Sequence, residues 1–262
     1  MGDKSRIEWT DATWNPVTGC SKVSPGCAHC YAETLATTRL VGKPGYPGLP
    51  WTPENAAANV YLRPDRLDQP LRWRTPRRIF VDSMSDLFHE QVPDDYIWRV
   101  WWTMAEATRH TFQVLTKRPE RMAEWVTENV TVPAMYGDWT LSGVGGSMTG
   151  WTPNVWLGTS IENDRWTHRA DALRETPAAV RFLSLEPLLG PLPSLDLTSI
   201  GWVVVGGESG PGHRSMDPAW VRDIRDRCVE AGVPFLFKQW GGRTSKAGGR
   251  ELDGRTWDEY PR

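Results

Sequence analysis

The sequence predicts an α/β fold, namely a parallel βα-barrel or partial barrel of about six to seven strands. Short apolar runs recur along the chain at the spacing of βα units, and helical signals lie between them. Nearly every run ends in polar residues, as expected where the carboxyl ends of barrel strands converge on one site. An open doubly wound sheet also fits the alternation, but it needs polar residues only at its switch point.

Six continuous apolar runs are the predicted strands. Continuous rather than alternating apolar residues are typical of parallel strands that are buried on both faces. The runs cover residues 78–82, 111–116, 154–159, 180–184, 201–206 and 234–238. A first strand around residues 12–16 brings the count to about seven, and a cysteine-rich loop follows it.

Four helices are predicted between these strands. The clearest starts after Asp217, an N-cap residue followed by proline, and it ends at Gly232. Within this helix Val221, Ile224 and Cys228 share one face, which makes Cys228 a core residue. The other helices begin near residues 93–95, after residues 162–164, and at Tyr31 directly behind the cysteine-rich loop.

A single barrel domain is expected over residues 1–262, because no linker divides the chain. Residues 133–153, which are rich in Gly, Ser and Trp, are interpreted as an inserted loop. Residues 241–262 combine several glycines with many charges and are interpreted as an extended C-terminal tail.

Composition and charge favour a cytoplasmic globular protein. The formal net charge is −2, so nucleic-acid binding would depend on a local basic patch. The first residues lead into no apolar core of a signal peptide, and no apolar run reaches membrane length. We therefore expect no membrane partner, and we expect the thiols to meet a reducing environment.

Three of the four cysteines, Cys20, Cys27 and Cys30, lie within eleven residues. In a reducing compartment such a group indicates metal binding, and thiolates select iron–sulfur clusters or zinc. A structural zinc site takes four protein ligands, whereas a reactive centre keeps one position open. We therefore predict a 4Fe–4S cluster on these three cysteines, with one iron open to a substrate or cofactor.

Zinc is the alternative metal, and it requires a fourth ligand. His29 lies between two of the cysteines and would have to fold back, so His213 is the better candidate. A zinc- or cluster-stabilised binding protein without catalysis is accordingly the second hypothesis for function. The sequence contains no Ser-His-Asp ordering, Walker loop or HExxH pattern, and hydrolase activity therefore has no support.

The segment Gly26-Cys27-Ala28-His29-Cys30-Tyr31-Ala32-Glu33, together with Cys20, resembles the cluster loop of radical S-adenosylmethionine enzymes. Its local form is similar to the spore-photoproduct-lyase-like branch. The resemblance implies a partial or full βα-barrel, a 4Fe–4S cluster and S-adenosylmethionine on the open iron. It also implies an electron donor, because one electron cleaves the cofactor to a 5′-deoxyadenosyl radical that abstracts hydrogen from the substrate. Six residues separate Cys20 from Cys27, where the superfamily usually has three.

A second resemblance covers nearly the whole chain. Residues 14–20, 82–88, 115–119 and 206–210 together look like the phage Gp37/Gp68 family, which is known mainly as a domain of unknown function. This resemblance implies a phage or prophage origin and therefore the cytoplasm of a host. For the non-catalytic hypothesis it implies an accessory protein that binds a host or phage macromolecule.

Polar residues at the strand ends are the candidates for binding the cofactor. Radical S-adenosylmethionine enzymes carry a Gly-Gly-Glu element after the second strand, where this chain has residues 82–86, whose oxygens can accept from an ammonium. Lys117 suits a carboxylate or a phosphate. Glu162 and Glu186 suit ribose hydroxyls or substrate, although Glu162 would equally cap the next helix. The predicted cofactor-binding residues are Asp82, Ser83, Ser85, Lys117, Ser160, Glu162, Glu186 and Glu208.

A nucleic-acid base or nucleotide is the predicted substrate. The spore-photoproduct-lyase-like branch acts on a lesion in DNA, and this chain has basic residues after several strands and tryptophans in loops, which suit phosphates and stacked bases. These residues are Lys117, Arg118, His213, Arg214 and Lys238, and Trp139, Trp151 and Trp240. The balanced charge favours a short single strand, an extruded base or a free nucleotide over a duplex.

Overall fold

The computed structural model describes residues 4–131, 140–143, 146–149 and 152–262. Its strands are β1 Ala12–Trp14, β2 Val17–Thr18, β3 Tyr61–Leu62, β4 Arg78–Val81, β5 Thr111–Thr116, β6 Val130–Thr131, β7 Thr140–Gly143, β8 Gly146–Thr149, β9 Val155–Ser160, β10 Val180–Leu185, β11 Trp202–Gly206 and β12 Phe235–Gln239. Its helices are α1 Tyr31–Thr37, α2 Ala56–Asn59, α3 Gln69–Arg72, α4 Asp94–Glu106, α5 Pro119–Asn129, α6 Arg169–Glu175 and α7 Pro218–Ala231. Short 3-10 turns lie at Pro25–Cys27, Pro64–Arg66 and Asp164–Trp166.

Seven of the strands form one parallel sheet in the order β1-β4-β5-β9-β10-β11-β12. This is also their order along the chain, so the sheet has no switch point at which the strand order reverses. The sheet curls into a half-barrel with helices, and the predicted partial parallel barrel is confirmed. The cysteine-rich loop follows β1, as the sequence predicts.

The sequence signals for the helices are confirmed at both ends of α7. The Asp217 side chain accepts a hydrogen bond from the backbone N–H of Ala219, and Gly232 ends the helix in the left-handed conformation with φ of 68°. Cys228 is fully buried on the inner face of this helix, which confirms it as a core residue. The predicted helix near residues 93–95 is α4, and α1 begins at Tyr31.

The concave face of the half-barrel changes from aromatic to polar along its strands. Trp9 from the N-terminal segment packs against Phe80, Phe182 and Trp202, with ring centroids 4.7, 6.4 and 6.1 Å away. Side chains two residues apart on a strand share a face. Moving two residues towards the carboxyl end from Phe80, Phe182 and Leu236 therefore leads to Asp82, Ser184 and Lys238. The aromatic layer thus forms the base of a polar site.

The convex face carries the larger core. Its strand residues, among them Val81, Val114 and Leu183, are fully buried together with Ile97 of α4 and Ile224 of α7. Both faces of the sheet are thus covered, which explains the continuous apolar runs. No helix among the described ranges is long and apolar enough to cross a membrane.

Strands β6, β7 and β8 form a small antiparallel sheet, and β7 and β8 lie within the segment interpreted as an inserted loop. Other parts of this segment, including Trp139 and Trp151, lie outside the described residues. Residues 241–262 pack against β12, where the backbone N–H of Phe237 donates to the Trp257 carbonyl at 2.9 Å. The single-domain interpretation of the chain stays a prediction.

Gly158 of β9 provides a test of the aromatic layer. A Cβ atom on Gly158 would lie 2.5 Å from the Phe182 ring, which Trp9 and Trp202 enclose. Gly158→Ala is therefore expected to lower the free energy of unfolding by about 1–3 kcal/mol through overpacking. Urea unfolding measures this against Gly190→Ala, whose Cβ would have only an ordinary contact of 3.6 Å with Asn163. Equal stability of the two variants would contradict the packing described.

Candidate functional site

A cavity of about 430 Å³ lies at the carboxyl ends of the parallel strands. The predicted common end of the strands is confirmed, because Ser160 at the end of β9 and polar residues after β4, β5, β10 and β11 line this cavity together with the cysteine-rich loop. The lining residues that the sequence predicts are Cys20, Cys27, Cys30, Asp82, Ser83, Ser85, Lys117, Ser160, Glu186 and Glu208. Trp9, Phe80 and Leu115 supply the apolar part of the wall.

The three thiols of the loop are partly exposed to this cavity. Burial raises the pKa of Cys20 to about 12, with a further contribution from Asp86 that Arg118 opposes. Burial also raises the pKa of Cys30, against the effect of the backbone N–H groups in the first turn of α1. These two thiols are therefore protonated at neutral pH in the free protein, and a metal would have to displace their protons.

The donor groups around the thiols show which kinds of metal site the residues could form. Within the described part of the chain, no three His, Cys, Asp or Glu side chains are close enough to ligate one metal ion. His29 Nδ1 lies 2.9 Å from Glu208 Oε2 and His213 Nδ1 lies 3.1 Å from the Gly210 carbonyl, so each candidate for a fourth zinc ligand has one ring nitrogen engaged. In a 4Fe–4S cluster each cysteine ligates a different iron, so the thiols surround a volume instead of meeting at a point. Three thiols on the wall of one cavity are compatible with that requirement.

Arg118 anchors the loop at Cys20. Its Nη1 lies 3.2 Å from Asp86 Oδ2 and 3.7 Å from Cys20 Sγ, while Nη2 donates to Ser21 Oγ at 3.1 Å. Asp86 accepts three further hydrogen bonds, from the Thr116 hydroxyl and from two backbone N–H groups. Both members of the ion pair are buried. Arg118 is therefore occupied by the loop and is not available to bind a phosphate.

His89 supports the same anchor, and no motif in the sequence marks it. Its Nε2 lies 2.9 Å from Ser21 Oγ, and its Nδ1 accepts from the backbone N–H of Gln91. Because Nδ1 is an acceptor, Nε2 carries the proton and donates to the serine. Burial, together with the nearby Arg118, lowers the pKa of His89 to about 4, and the ring is neutral at physiological pH.

Glu162 lies beneath the middle of the loop and does not line the cavity. It is fully buried, accepts from Arg169 Nη1 at 3.2 Å, and accepts from the Ser24 hydroxyl. A Cβ atom on Gly26 would lie 2.5 Å from Glu162 Oε1, so only glycine fits there. The structure therefore gives Glu162 a supporting position below Cys27 and no access to a ribose. The alternative that it caps the next helix is wrong, because Asn163 accepts from the backbone N–H of Arg165 instead.

Glu208 anchors the last part of the loop. It accepts from the backbone N–H of Arg214 and from Arg214 Nε, both at 2.9 Å, and it lies 2.9 Å from His29 Nδ1. Arg214 also reaches the Pro25 carbonyl at 3.0 Å. Burial opposes ionisation, but the hydrogen bonds from Arg214 outweigh it and lower the pKa of Glu208 to about 2. An ionised Glu208 thus ties the loop to the end of β11.

Asp82 occupies a different environment from these three carboxylates. It has a left-handed backbone with φ of 59°, and its Oδ1 accepts from the backbone N–H of Val17 at 3.1 Å. Its buried Oδ2 has no hydrogen-bond partner among the described residues. Burial raises the pKa of Asp82 to about 8, so the carboxyl group is largely protonated at neutral pH. Ser83 and Ser85 beside it donate to Asn15 Oδ1 and to the Val17 carbonyl.

Most of the basic residues that the sequence predicts to bind phosphate already form ion pairs with carboxylates. Lys238 pairs with Glu186 at 2.8 Å, Arg214 with Glu208, and Arg118 with Asp86. Lys117 also lines the cavity, and its ammonium group has no ion pair with any residue that the structure describes. Trp240 packs edge-on against Phe237, and its indole N–H donates to the Glu251 carbonyl, so it is a packing residue and not a stacking surface.

The comparisons with known proteins return one family. A family model described as "Protein of unknown function (DUF5131)" matches residues 4–261, which include the half-barrel and the cysteine-rich loop. No curated protein and no solved structure matches the chain.

Breaking the anchor at Glu162 is expected to destabilise the protein strongly. Glu162→Ala leaves the guanidinium of Arg169 buried without its counter-ion, which costs about 3–5 kcal/mol in the free energy of unfolding. The matched control is Asp68→Ala, which removes a carboxylate from the exposed pair with Arg72 and is expected to change stability little. Urea denaturation of both variants measures the difference. A loss from Glu162→Ala no larger than that of the control would contradict the anchoring role.

Proposed function

This chain belongs to the family described as "Protein of unknown function (DUF5131)", and from its cavity we propose an iron–sulfur enzyme of the radical S-adenosylmethionine type. The observation that carries the proposal is that Cys20, Cys27 and Cys30 line the same cavity as the polar strand ends. These cysteines would hold a 4Fe–4S cluster with one iron free of protein ligands. When bound, S-adenosylmethionine supplies a 5′-deoxyadenosyl radical after one-electron reduction. The likeness to phage Gp37/Gp68 proteins makes a host cytoplasm the proposed location.

Two side chains in the cavity suit the amino-acid part of this cofactor. Lys117 has an ammonium group without an ion-pair partner among the described residues, and it suits the carboxylate. Asp82 has a buried oxygen without a hydrogen-bond partner within the described ranges, and it suits the amino group. A bound ammonium would favour the ionised form of Asp82, which burial otherwise disfavours. Together they form a complementary pair for a zwitterion.

A nucleic-acid base or nucleotide is the substrate class that we propose. Trp9 and Phe80 offer an aromatic base on which a ring can lie. The Glu186–Lys238 pair and Ser160 present acceptors and donors of the kind that read the edge of an extruded base. Because most basic groups near the cavity are already paired, a free nucleotide or a single extruded base fits better than a duplex.

Cluster assembly is the first test of the function. Replacing any one of Cys20, Cys27 and Cys30 by alanine is expected to abolish the cluster, because only two thiolates remain. Cys228→Ala is the matched control, since it removes a buried thiol that lies on α7, away from the cavity. After anaerobic reconstitution with iron and sulfide, absorption near 400 nm and the iron content measure the outcome.

S-adenosylmethionine should change the paramagnetic signal of the reduced cluster and release 5′-deoxyadenosine. Lys117→Ala is expected to keep the cluster but to weaken this effect about tenfold or more, because a charged hydrogen bond is lost. Lys246→Ala removes an exposed lysine and should leave the effect unchanged. A cluster that does not respond to S-adenosylmethionine would support the non-catalytic hypothesis, and stoichiometric zinc in a colourless protein would overturn the iron–sulfur assignment.

Binding of nucleotides tests the substrate class. The cluster-loaded protein is expected to bind nucleoside monophosphates or short single-stranded DNA or RNA. Glu186→Gln should weaken this binding about tenfold, since it removes a charged acceptor for the edge of the base at the cavity wall. Glu230→Gln on the exposed side of α7 is the control. Equilibrium dialysis at two salt concentrations, with and without S-adenosylmethionine, measures binding. No binding under any of these conditions would exclude this substrate class.

A further inference from the structure

A patch of exposed apolar side chains lies on the surface next to the cysteine-rich loop. It consists of residues 39–49 and Tyr61, and it is called the 39–49 face below. Val41, Leu49 and Tyr61 are 50%, 39% and 49% exposed. They make up half of the six large apolar side chains that are exposed among the described residues. Exposed apolar side chains that lie together are typical of interaction surfaces.

The 39–49 face is a continuous and well-formed surface. Val41 touches the backbone next to Leu49, because a Cβ atom on Gly48 would lie 3.0 Å from Val41 Cγ1. The ring of Tyr61 covers Gly45 in the same way, at 3.1 Å. A backbone hydrogen bond of 3.0 Å from the Gly42 N–H to the Tyr46 carbonyl closes the turn between them. The apolar groups therefore share one folded patch.

The charges of the 39–49 face are all positive. Residues 38–53 contain Arg39 and Lys43 and no Asp or Glu. Both basic side chains are exposed, and neither has an ion pair with any residue in the described ranges. Of the acidic neighbours, Glu33 and Asp65 are paired with Lys22 at 2.8 Å and with Arg63 at 2.7 Å. The exposed Glu54, which follows the face along the chain, has no ion pair among the described residues. A partner with acidic groups around an apolar centre would complement this face.

The 39–49 face and two of the cysteines pack against the same small apolar cluster. A small apolar layer of Ala32, Ala36, Tyr46, Trp51 and Met84 packs against Cys20 and Cys30 on one side. Leu40 of the face packs on the same layer. The face and the thiols that would hold the cluster are thus connected through one set of packed side chains, and close packing between a surface and a redox group favours electron transfer.

We propose that the 39–49 face is the docking surface for an acidic electron-transfer protein that reduces the cluster. This inference rests on the proposed function, since it needs a redox-active group on the cysteines. The step moves one electron: the donor is oxidised by one electron, the cluster goes from the 2+ to the 1+ state, and no covalent bond forms or breaks. Charge complementarity at the face would speed the encounter of the two proteins.

Reduction kinetics with a protein donor test the proposal. The cluster-loaded protein is mixed anaerobically with a flavodoxin hydroquinone, and bleaching near 400 nm reports the reduction. The Arg39→Glu/Lys43→Glu variant is expected to be reduced about tenfold more slowly at low salt, and high salt should remove most of this difference. The control is Arg74→Glu, since Arg74 is exposed before β4, at the opposite end of the strands.

Dithionite is a small reductant that needs no docking surface. It therefore distinguishes a failure of the proposed docking surface from a failure of the proposed function. It should reduce the cluster at the same rate in all three proteins, which shows that the double variant is folded and loaded. Equal rates with flavodoxin hydroquinone for the wild type and the double variant, at low salt, would overturn the docking surface alone. Failure of flavodoxin to reduce a wild-type cluster that dithionite reduces would overturn it as well. A wild-type protein without a reducible cluster would overturn the proposed function and this inference with it.

Discussion

Three arginine–carboxylate pairs, two of them buried and the third partly exposed at its arginine, hold the cysteine-rich loop on the half-barrel, and the geometry of the cavity depends on them. Arg118 and Asp86 hold the loop at Cys20, Arg169 and Glu162 hold it below Cys27, and Arg214 and Glu208 hold it beside His29. The loop has only a single 3-10 turn of its own, so side chains from the strand ends must position it. The carboxylates of the three pairs follow β4, β9 and β11, so the loop is held at three separate places around the cavity.

These anchors divide the polar residues at the strand ends into two groups. Asp86, Glu162 and Glu208 are used to support the loop, and their hydrogen-bonding capacity is taken up by arginines and by the loop itself. Asp82 and Lys117 line the same cavity without such partners among the described residues. A buried charge is costly unless it is paired, so the paired carboxylates are structural, while the unpaired groups are the ones that we propose to meet a ligand.

The concave face of the half-barrel changes from apolar to polar along its strands, and this arrangement suits the radical reaction that we propose. Trp9 and its aromatic neighbours close the base of the concave face, and the polar residues begin two positions further along the strands. A ligand in this cavity would be enclosed by the sheet below and by the loop above. The proposed docking surface, the 39–49 face, would add a route for electrons to the same loop. Radical chemistry needs both features, since the reactive group must be shielded while reducing equivalents still arrive.

The sequence by itself determined the fold class, the order of the strands and the position of the cysteine-rich loop. Continuous apolar runs report burial on both faces, and caps such as Asp217 and Gly232 act within a few residues, so these features are local. The sequence also placed Asp82, Lys117 and Glu186 at one end of the sheet, because parallel strands share their direction.

Only the tertiary structure decided which of these polar residues face the cavity and which support the loop. Glu162 and Glu186 both follow a strand, yet Glu162 turns below the loop to meet Arg169, whereas Glu186 meets Lys238 in the cavity. His89 and Ser21 are brought together from 68 residues apart, and no local pattern records such a contact. The pairing of charges depends on distances across the folded chain, and the spacing of residues along the sequence does not contain those distances.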